Sequence, residues 1–186
     1  MKKFSNEDLA RFRVVAGVAQ CPPGDYTNIK HFARRCSFAE SCSFAESCSF
    51  APGCSFALGC SFARCCSFAR GCSFAECCSF AECCSFALGC SFAECCSFAE
   101  YCSFAESCSF APGCSIGTHT LKGFKLRSCS GLGEYERTLY VWDTEDGYYC
   151  QAGCFFGSVK KFKKSVKAKY NRTHKYIKAV NFLIED

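Results

Sequence analysis

The chain has 186 residues, of which 22 are cysteines and 8 are tyrosines, and it carries a net charge of +5. This length fits one domain with small appendages and is enough to bury a core. The basic start is followed by charged and polar residues, so we expect no signal peptide. No apolar run of about 18 residues follows, so we expect no membrane span. We therefore expect a cytoplasmic, reducing location in which the cysteines do not form a disulfide scaffold.

The first 28 residues predict a helical cap. Ser5-Asn6-Glu7-Asp8 has the composition of a helix start, and Leu9, Phe12 and Ala16 follow at helical spacing. Pro22-Pro23-Gly24 then breaks the chain. A cap is needed here because a repeat structure that ends in open strand edges polymerises unless the edges are covered.

A six-residue repeat fills the next segment, residues 29–119. The unit Cys-Ser-Phe-Ala-x-x runs thirteen times without insertion from Cys36, and a degenerate copy follows at Cys114–His119. Phe32 to Arg35 keeps the same phase, and Tyr26-Thr27 is a candidate for one earlier rung. A period this strict predicts a solenoid that begins before the first repeat cysteine.

Each unit is expected to form one short strand and one corner. Side chains alternate along a strand, so Cys and Phe point inward while the Ser between them points outward. The two variable residues have turn composition. In the register Phe-Ala-x-x-Cys-Ser the unit resembles the hexapeptide repeat of left-handed parallel β-helix proteins, although Phe replaces the usual aliphatic residue. The resemblance implies a mostly β fold, a left-handed three-sided β-helix with three units in each coil.

Positions eighteen residues apart should therefore stack in columns. The fourteen repeat cysteines are expected to be reduced core residues. The expected phenylalanine ladders are Phe38, Phe56, Phe74, Phe92 and Phe110; Phe44, Phe62, Phe80 and Phe98; and Phe50, Phe68, Phe86 and Phe104.

The variable corner positions stack in the same way. One column contains Glu46, Arg64, Glu82 and Glu100, which places Arg64 between two carboxylates. The four additional cysteines form two inter-coil pairs, Cys65 with Cys83 and Cys77 with Cys95. They are either small surface residues or pairs close enough for a labile disulfide or a soft metal ion.

The remaining residues, 120–186, predict a small α+β cap domain. Thr138–Trp142 and Tyr148–Ala152 are expected strands joined by a hairpin turn at Asp143–Gly147. Gly157-Ser158 offers an N-cap to a helix with Val159, Phe162 and Val166 on one face, and a second helix over Tyr176–Ile184 places Ile177, Val180 and Ile184 inward. The turn from Gly153 to Ser158 resembles one in uncharacterised phage and prophage proteins, which implies a viral origin.

No catalytic residue can be assigned from spacing. Hexapeptide-repeat β-helix proteins are often acyltransferases with a catalytic histidine, and acyl transfer is therefore an alternative function. The chain offers only His31, His119 and His174, widely separated in sequence. We expect no enzyme activity and no cofactor.

Other candidate sites compete with simpler interpretations. The lysines between residues 160 and 169 could bind nucleic acid or could be a solvated helix face. Tyr140, Trp142, Tyr148 and Tyr149 could form a stacking platform or belong to a core. Cys150 and Cys154, with Cys129, lack a fourth zinc ligand in obvious spacing, so no metal site is expected. The outward serine column beginning at Ser37 is a weak candidate for ice binding. The candidate binding lysines are Lys160, Lys161, Lys163, Lys164, Lys167 and Lys169.

The charge distribution suggests an interaction protein. Residues 1–35 carry 7 basic and 3 acidic groups, residues 36–113 carry 2 and 7, and residues 114–186 carry 13 and 7, which gives +4, −5 and +6. The expected function is a structural or protein-interaction solenoid, acidic along the rod and basic at its ends, that binds an unidentified protein, of the host if the chain is phage-encoded. A nucleic-acid-binding or DNA-mimicking role is a further alternative, and the sequence allows a monomer or a homo-oligomer.

Overall fold

A computed structural model describes residues 1–105, 107–122, 127–132, 137–153, 155–170 and 174–185 of the chain. The chain divides into two compact units, Met1–Thr118 and His119–Asp186. The first unit therefore includes both the predicted cap and the predicted repeat. Among the described residues, no helix has the length and apolar character that a membrane crossing needs.

The N-terminal cap contains a short helix followed by a hairpin. Helix α1 (Asn6–Arg11) begins with a capping box in which the Ser5 side chain accepts from the Asp8 backbone N–H, and the Asp8 carboxylate accepts from the Ser5 N–H at 2.8 Å. The chain becomes extended at Phe12 and forms antiparallel strands at Val14–Val15 and Val18–Cys21. The prediction that Ala16 belongs to the helix was wrong, because Ala16 lies in the hairpin turn at φ +49°.

The repeat forms short strands at every unit. Their bounds are His31–Phe32, Cys36–Phe38, Ser43–Phe44, Ser49–Phe50, Ser55–Phe56, Ser61–Phe62, Ser67–Phe68, Ser73–Phe74, Ser79–Phe80, Ser85–Phe86, Ser91–Phe92, Ser97–Phe98, Ser103–Phe104, Ser109–Phe110 and Ser115–Ile116.

These strands form three parallel sheets, and each strand pairs with the strand eighteen residues away. Ser73 is paired with Ser55 and Ser91, Ser79 with Ser61 and Ser97, and Ser85 with Ser67 and Ser103. The mostly β, three-sided parallel solenoid predicted from the period is confirmed. The left-handed winding stays a prediction from the hexapeptide resemblance.

Aromatic rings fill the interior. Within a column, rings of adjacent coils stack in parallel, as Phe56 does on Phe74 at 4.9 Å between centroids. Between columns they meet edge to face, as Phe56 and Phe62 do at 5.0 Å and 88°. Both arrangements are favourable for aromatic pairs. The three predicted phenylalanine ladders are therefore confirmed.

The repeat cysteines are buried beside the rings as free thiols, as predicted. Their thiols donate to the carbonyl of an Ala one coil and one corner earlier, for example Cys66 to Ala45 at 3.2 Å and Cys78 to Ala57 at 3.5 Å. Each thiol thus satisfies a carbonyl at a bend and fills the space between the large rings.

Each corner needs a backbone of left-handed conformation at its second variable residue. Gly59 has φ +69° and Gly71 has φ +67°, but Ser47 adopts φ +59° at the equivalent position. The N–H of this residue donates to the first corner residue of the next coil, as Ser47 does to Arg64 at 2.9 Å. The corner conformation therefore continues the hydrogen-bond ladder between coils.

The ring ladder extends toward the N-terminus beyond the repeat. Phe32 stacks on Phe50 at 4.7 Å, Tyr26 stacks on Phe44 at 5.5 Å, and Phe4 stacks on Tyr26 at 4.9 Å. The predicted upstream rungs are confirmed, and Phe4 closes one ladder. Gly24 permits this closure, because a Cβ at residue 24 would lie 2.2 Å from the Phe4 ring.

The second unit is a four-stranded antiparallel sheet with two helices. The sheet strands, in spatial order, are Arg127–Leu132, Arg137–Thr144, Gly147–Ala152 and Phe155–Ser158; a short strand at His119–Thr120 precedes them, and the helices are α2 (Val159–Lys169) and α3 (Lys175–Glu185). The predicted hairpin and both predicted helices are confirmed, with Ser158 as the N-cap of α2. The strand at Phe155–Ser158 replaces the predicted turn.

One core lies between the sheet and the helices. Val159, Phe162 and Val166 of α2 are buried there, as predicted. In α3 the inward residues include Ile177 and Val180. Ile184 is only partly buried, because Leu183 occupies the inward position at that end of the helix.

Candidate interaction surface and thiol sites

The charged residues of the solenoid separate by corner. The first acidic corner contains Glu40, Leu58, Glu76 and Glu94, and the second acidic corner contains Glu46, Arg64, Glu82 and Glu100. Formal charges are therefore −3 on the first corner and −2 on the second, from three Glu and one Arg. The predicted acidic rod is acidic along two of its three edges.

The third corner is basic in its described residues. Its stacked positions are Arg34, Pro52, Arg70 and Leu88, and Arg35 adds a third cation. Its described residues carry +3, and Glu106, which continues the same eighteen-residue series outside the described residues, makes the formal charge of the series +2. Leu58 and Leu88, both exposed, lie on different corners, so they form no continuous apolar stripe.

One sheet lies between the two acidic corners, and we call its outer surface the smooth face. It is built from the strands that begin at Ser43, Ser61, Ser79, Ser97 and Ser115. Its strands present serine hydroxyls in register, with partly buried alanines where each strand reaches the corner. The smooth face is thus a surface of small side chains flanked by carboxylates.

An ion pair crosses coils on the second acidic corner. The Arg64 guanidinium donates to the Glu82 carboxylate at 2.7 Å. The exposed fraction of the side chain is 61% for Arg64 and 46% for Glu82. The predicted stacking of Arg64 with a carboxylate is therefore confirmed on the Glu82 side. An exposed pair of this kind contributes about 0.2–1 kcal/mol.

The four corner cysteines are exposed and unbonded. Cys65 and Cys83 occupy adjacent coils of the second acidic corner, and Cys77 and Cys95 occupy adjacent coils of the first. All four have left-handed backbones, with φ between +57° and +61°. The structure thus brings each predicted pair together in a column.

The three histidines lie in separate settings. The His31 Nδ1 atom is 2.6 Å from the Ser49 hydroxyl, and the two residues are stacked partners in one sheet. His119 pairs with Asp146 at 2.9 Å and its ring lies on Tyr149, while His174 stacks on Tyr170 in the loop before α3. His31 belongs to the first unit, and His119 and His174 belong to the second.

A shallow groove of about 500 Å³ runs along the sheet that contains Ser49. It is lined by serines, alanines and the edges of buried phenylalanines, including Ser67 and Ala69. No described lining residue is charged. The groove therefore offers no cation for the phosphates of an acyl carrier such as coenzyme A.

The six candidate lysines lie on α2. Five of them are exposed and Lys163 is partly buried, while Val159, Phe162 and Val166 face the core. The helix is therefore amphipathic, with a lysine-rich outer face. This arrangement fits both a solvated surface and a phosphate-binding surface.

The candidate aromatic platform does not form. Tyr148 packs against the core on the helix side of the sheet, whereas Trp142 is buried, with 2% of its surface exposed. Tyr140 and Tyr149 are partly buried. A buried indole cannot stack on a nucleotide base, so the core interpretation holds for Trp142 and Tyr148.

The cysteines of the second unit do not assemble a metal centre in the described part of the chain. Cys150 is fully buried, and burial raises the pKa of its thiol to about 12. Cys129 packs against the same core from the strand Arg127–Leu132, which the strand Arg137–Thr144 separates from that of Cys150, and Cys154 lies outside the described residues. A protonated, buried thiol is a poor zinc ligand.

The separation of charge onto corners was missed from the sequence. The signal was present, since the eighteen-residue spacing assigns each Glu and each Arg of the repeat to one of the three corners. The same spacing pairs His31 with Ser49. Comparisons with family models, curated proteins and solved structures give no match for this chain.

Proposed function

We propose that the protein is a non-enzymatic interaction solenoid whose smooth face binds a basic protein surface. The observation that carries the proposal is the segregation of charge, −3 and −2 on the corners that flank the smooth face against a formal +2 for the residue series of the opposite corner. A face bordered by one sign of charge attracts a partner of the other sign and orients it.

The shape of the smooth face supports this role. Strand pairing holds its serines in register from Ser43 to Ser115, and buried stacked rings lie beneath them. A surface fixed in this way loses little conformational entropy on binding. Small side chains leave room for long Lys and Arg side chains of a partner to reach the carboxylates at the corners.

The resemblances noted in the sequence extend the proposal. The repeat resembles that of the hexapeptide-repeat β-helices, and the turn from Gly153 to Ser158 suggests a phage-encoded protein. The partner would then be a host protein, met in the host cytoplasm. DNA mimicry is less well supported, because each DNA strand has a charge about every 3.4 Å, whereas a corner offers at most one carboxylate per coil, and coils are 4.9 Å apart.

A second candidate function is nucleic-acid binding through α2. The observation in its favour is the lysine-rich outer face of an amphipathic helix. Replacing Lys160, Lys164 and Lys167 with Gln should then weaken binding to duplex DNA and reduce its salt dependence. Unchanged DNA binding in this variant, or no binding by the native chain at low salt, would remove this candidate.

The test of the interaction role compares matched charge variants. Tagged full-length chain captures partners from nuclease-treated bacterial lysate, in three forms: native, Glu76→Gln with Glu94→Gln, and Arg34→Gln with Arg70→Gln. Both variants remove two exposed corner charges. We expect a basic protein to be enriched by the native chain and the arginine variant but lost from the glutamate variant.

Two outcomes contradict the proposal. Equal capture by both variants would show that the acidic corners do not select the partner. Turnover of acetyl-CoA by the purified chain would favour the acyltransferase alternative, for which the uncharged groove gives no support.

A further inference from the structure

The corner cysteines occupy positions where the backbone favours glycine. A left-handed backbone costs a non-glycine residue about 1–2 kcal/mol. Glycine occupies five equivalent corner positions, which are Gly53, Gly59, Gly71, Gly89 and Gly113. All four corner cysteines nevertheless fall into vertical pairs, Cys65 above Cys83 and Cys77 above Cys95. The pairing points to a function of two thiols together.

The thiols of each pair project along the same direction. The φ angles are +59° and +61° for Cys65 and Cys83, and +57° and +59° for Cys77 and Cys95. A Cβ placed at Gly113, the next position in the column, would lie 3.4 Å from the Cys95 sulfur. The Cys95 side chain therefore reaches toward the following coil.

The spacing of the coils decides which bond the pairs can form. Equivalent atoms of adjacent coils are 4.9 Å apart, as the stacked rings of Phe74 and Phe92 show. A disulfide tolerates this spacing between Cα atoms but needs Cβ atoms about 3.5–4.5 Å apart, so the two parallel side chains would have to tilt toward each other. Two collinear metal–thiolate bonds of about 2.3 Å span about 4.6 Å, which fits the spacing without movement of the backbone.

The number of ligands then selects the class of metal. Structural zinc takes four ligands, and no group of three or more metal-binding side chains exists among the described residues. Soft monovalent ions such as Cu(I) and Ag(I) prefer thiolates and bind two in a line. Two thiols one coil apart match that geometry.

The charged surroundings favour a cation at the Cys77–Cys95 pair. Glu76 and Glu94 directly precede Cys77 and Cys95, while Arg64 and Glu82 form an ion pair beside Cys65 and Cys83. Desolvation and then the charge of a Cys77 thiolate raise the pKa of the Cys95 thiol. A bound cation removes this repulsion between the two sulfurs.

We propose that the pairs Cys65–Cys83 and Cys77–Cys95 are two surface sites that each bind one soft monovalent metal ion between stacked thiolates. Binding releases two thiol protons to solvent for each ion and leaves a bis-thiolate complex of charge −1. The metal sites do not rest on the proposed interaction function, since metal binding is measured on the chain alone.

The test uses Ag(I) as the probe on the full chain, reduced and free of oxygen. Native mass spectrometry counts the ions retained against a competing thiol ligand. The key variant combines Cys83→Gly with Gly71→Cys. It keeps the number of corner thiols but moves one to another corner, where a Cβ meets nothing within 4 Å. The second variant replaces all four corner cysteines with Gly, which suits their backbone.

We expect two tightly held ions in the native chain, one in the relocated variant and none in the fourfold variant. With Cu(I), X-ray absorption should show two sulfur neighbours and no nitrogen or oxygen. Equal stoichiometry in the native and relocated chains would overturn the proposal, as would retention of two ions by the fourfold variant. Air oxidation of the pairs to disulfides in the folded chain would overturn the spacing argument.

Discussion

Arg64 and Glu82 lie one coil apart, and their side chains meet at 2.7 Å on the surface of the solenoid. Because the eighteen-residue coil stacks every corner position on its equivalents, Arg64 is also the neighbour of Glu46 in the preceding coil. This single cation therefore interrupts a column of carboxylates. The stability of the rod depends on such columns.

Arg64→Glu should destabilise the chain at low salt. The substitution would place four carboxylates in one column at the coil spacing of 4.9 Å, and we expect a loss of about 1 kcal/mol, because like charges in adjacent strands repel. Urea unfolding at 20 mM and 500 mM NaCl would measure it, and screening should remove most of the loss at high salt. Arg70→Glu, whose described neighbours Pro52 and Leu88 are uncharged, is the control. An equal loss in both variants would contradict the column effect.

Gly71→Ala should lower the free energy of unfolding by about 1–2 kcal/mol, because Gly71 has φ +67° and alanine is strained there. A Cβ at this position meets nothing within 4 Å, so the loss is conformational and not steric. Gly71→Asn should lose less, since asparagine tolerates this backbone. Chemical denaturation of the three chains decides the matter, and an alanine variant as stable as the asparagine variant would refute the interpretation.

Removing one complete coil should leave a folded protein. Deletion of residues 66–83 takes out eighteen residues and restores every column, so the far-UV circular dichroism spectrum should keep its β signal. The slope of the unfolding free energy against denaturant concentration should decrease, because less surface is buried. Deletion of residues 69–83 removes fifteen and joins Phe68 directly to Cys84. The strands after the junction would then be half a repeat unit out of register with the preceding coils, which should prevent folding of the downstream coils. Similar stability of the two chains would argue against the six-residue unit as the structural repeat.

Gly24→Ala should disturb the N-terminal cap. The new methyl group would overlap the Phe4 ring, which stacks on Tyr26 and closes the ladder. We expect a loss of about 2–4 kcal/mol locally from displaced ring packing, together with end-to-end association through the exposed strand edge. Light scattering after size exclusion would detect the larger species. Gly131→Ala, with open space around its Cβ, controls for changes at an unrelated glycine, and its chain should stay the same size as the native one.

Alkaline pH should destabilise the protein through its buried thiols. Burial raises the pKa of the Cys150 thiol to about 12. A thiol whose pKa is raised on folding stabilises the native state below the unfolded pKa near 9, and this contribution falls as pH rises from about 9 toward 12. Urea unfolding between pH 7.5 and 10.5, under reductant, should show a steady decrease. Constant stability over that range would contradict native burial of protonated thiols.

The repeat sequence determined most of the first unit. The six-residue period, with large and small apolar residues two apart, allows only inward Phe and Cys, and the eighteen-residue coil then assigns every column, including the stacked corner cysteines. Local signals also sufficed for the cap of α2 at Ser158 and for the hairpin centred on residues 145–146. Each of these features depends on periodicity or on neighbours within a few residues.

Tertiary structure decided the features that local signals do not encode. Helix α1 ends before Ala16, because the chain turns back to pair Val18–Cys21 with the first coil. Phe155–Ser158 is a strand and not a turn, since it completes the sheet edge beside Tyr149 to Ala152. Leu183 is buried in the core of the second unit, and Ile184 packs against that core while partly exposed. Side-chain burial and strand pairing between distant segments outweighed local propensity in all three cases.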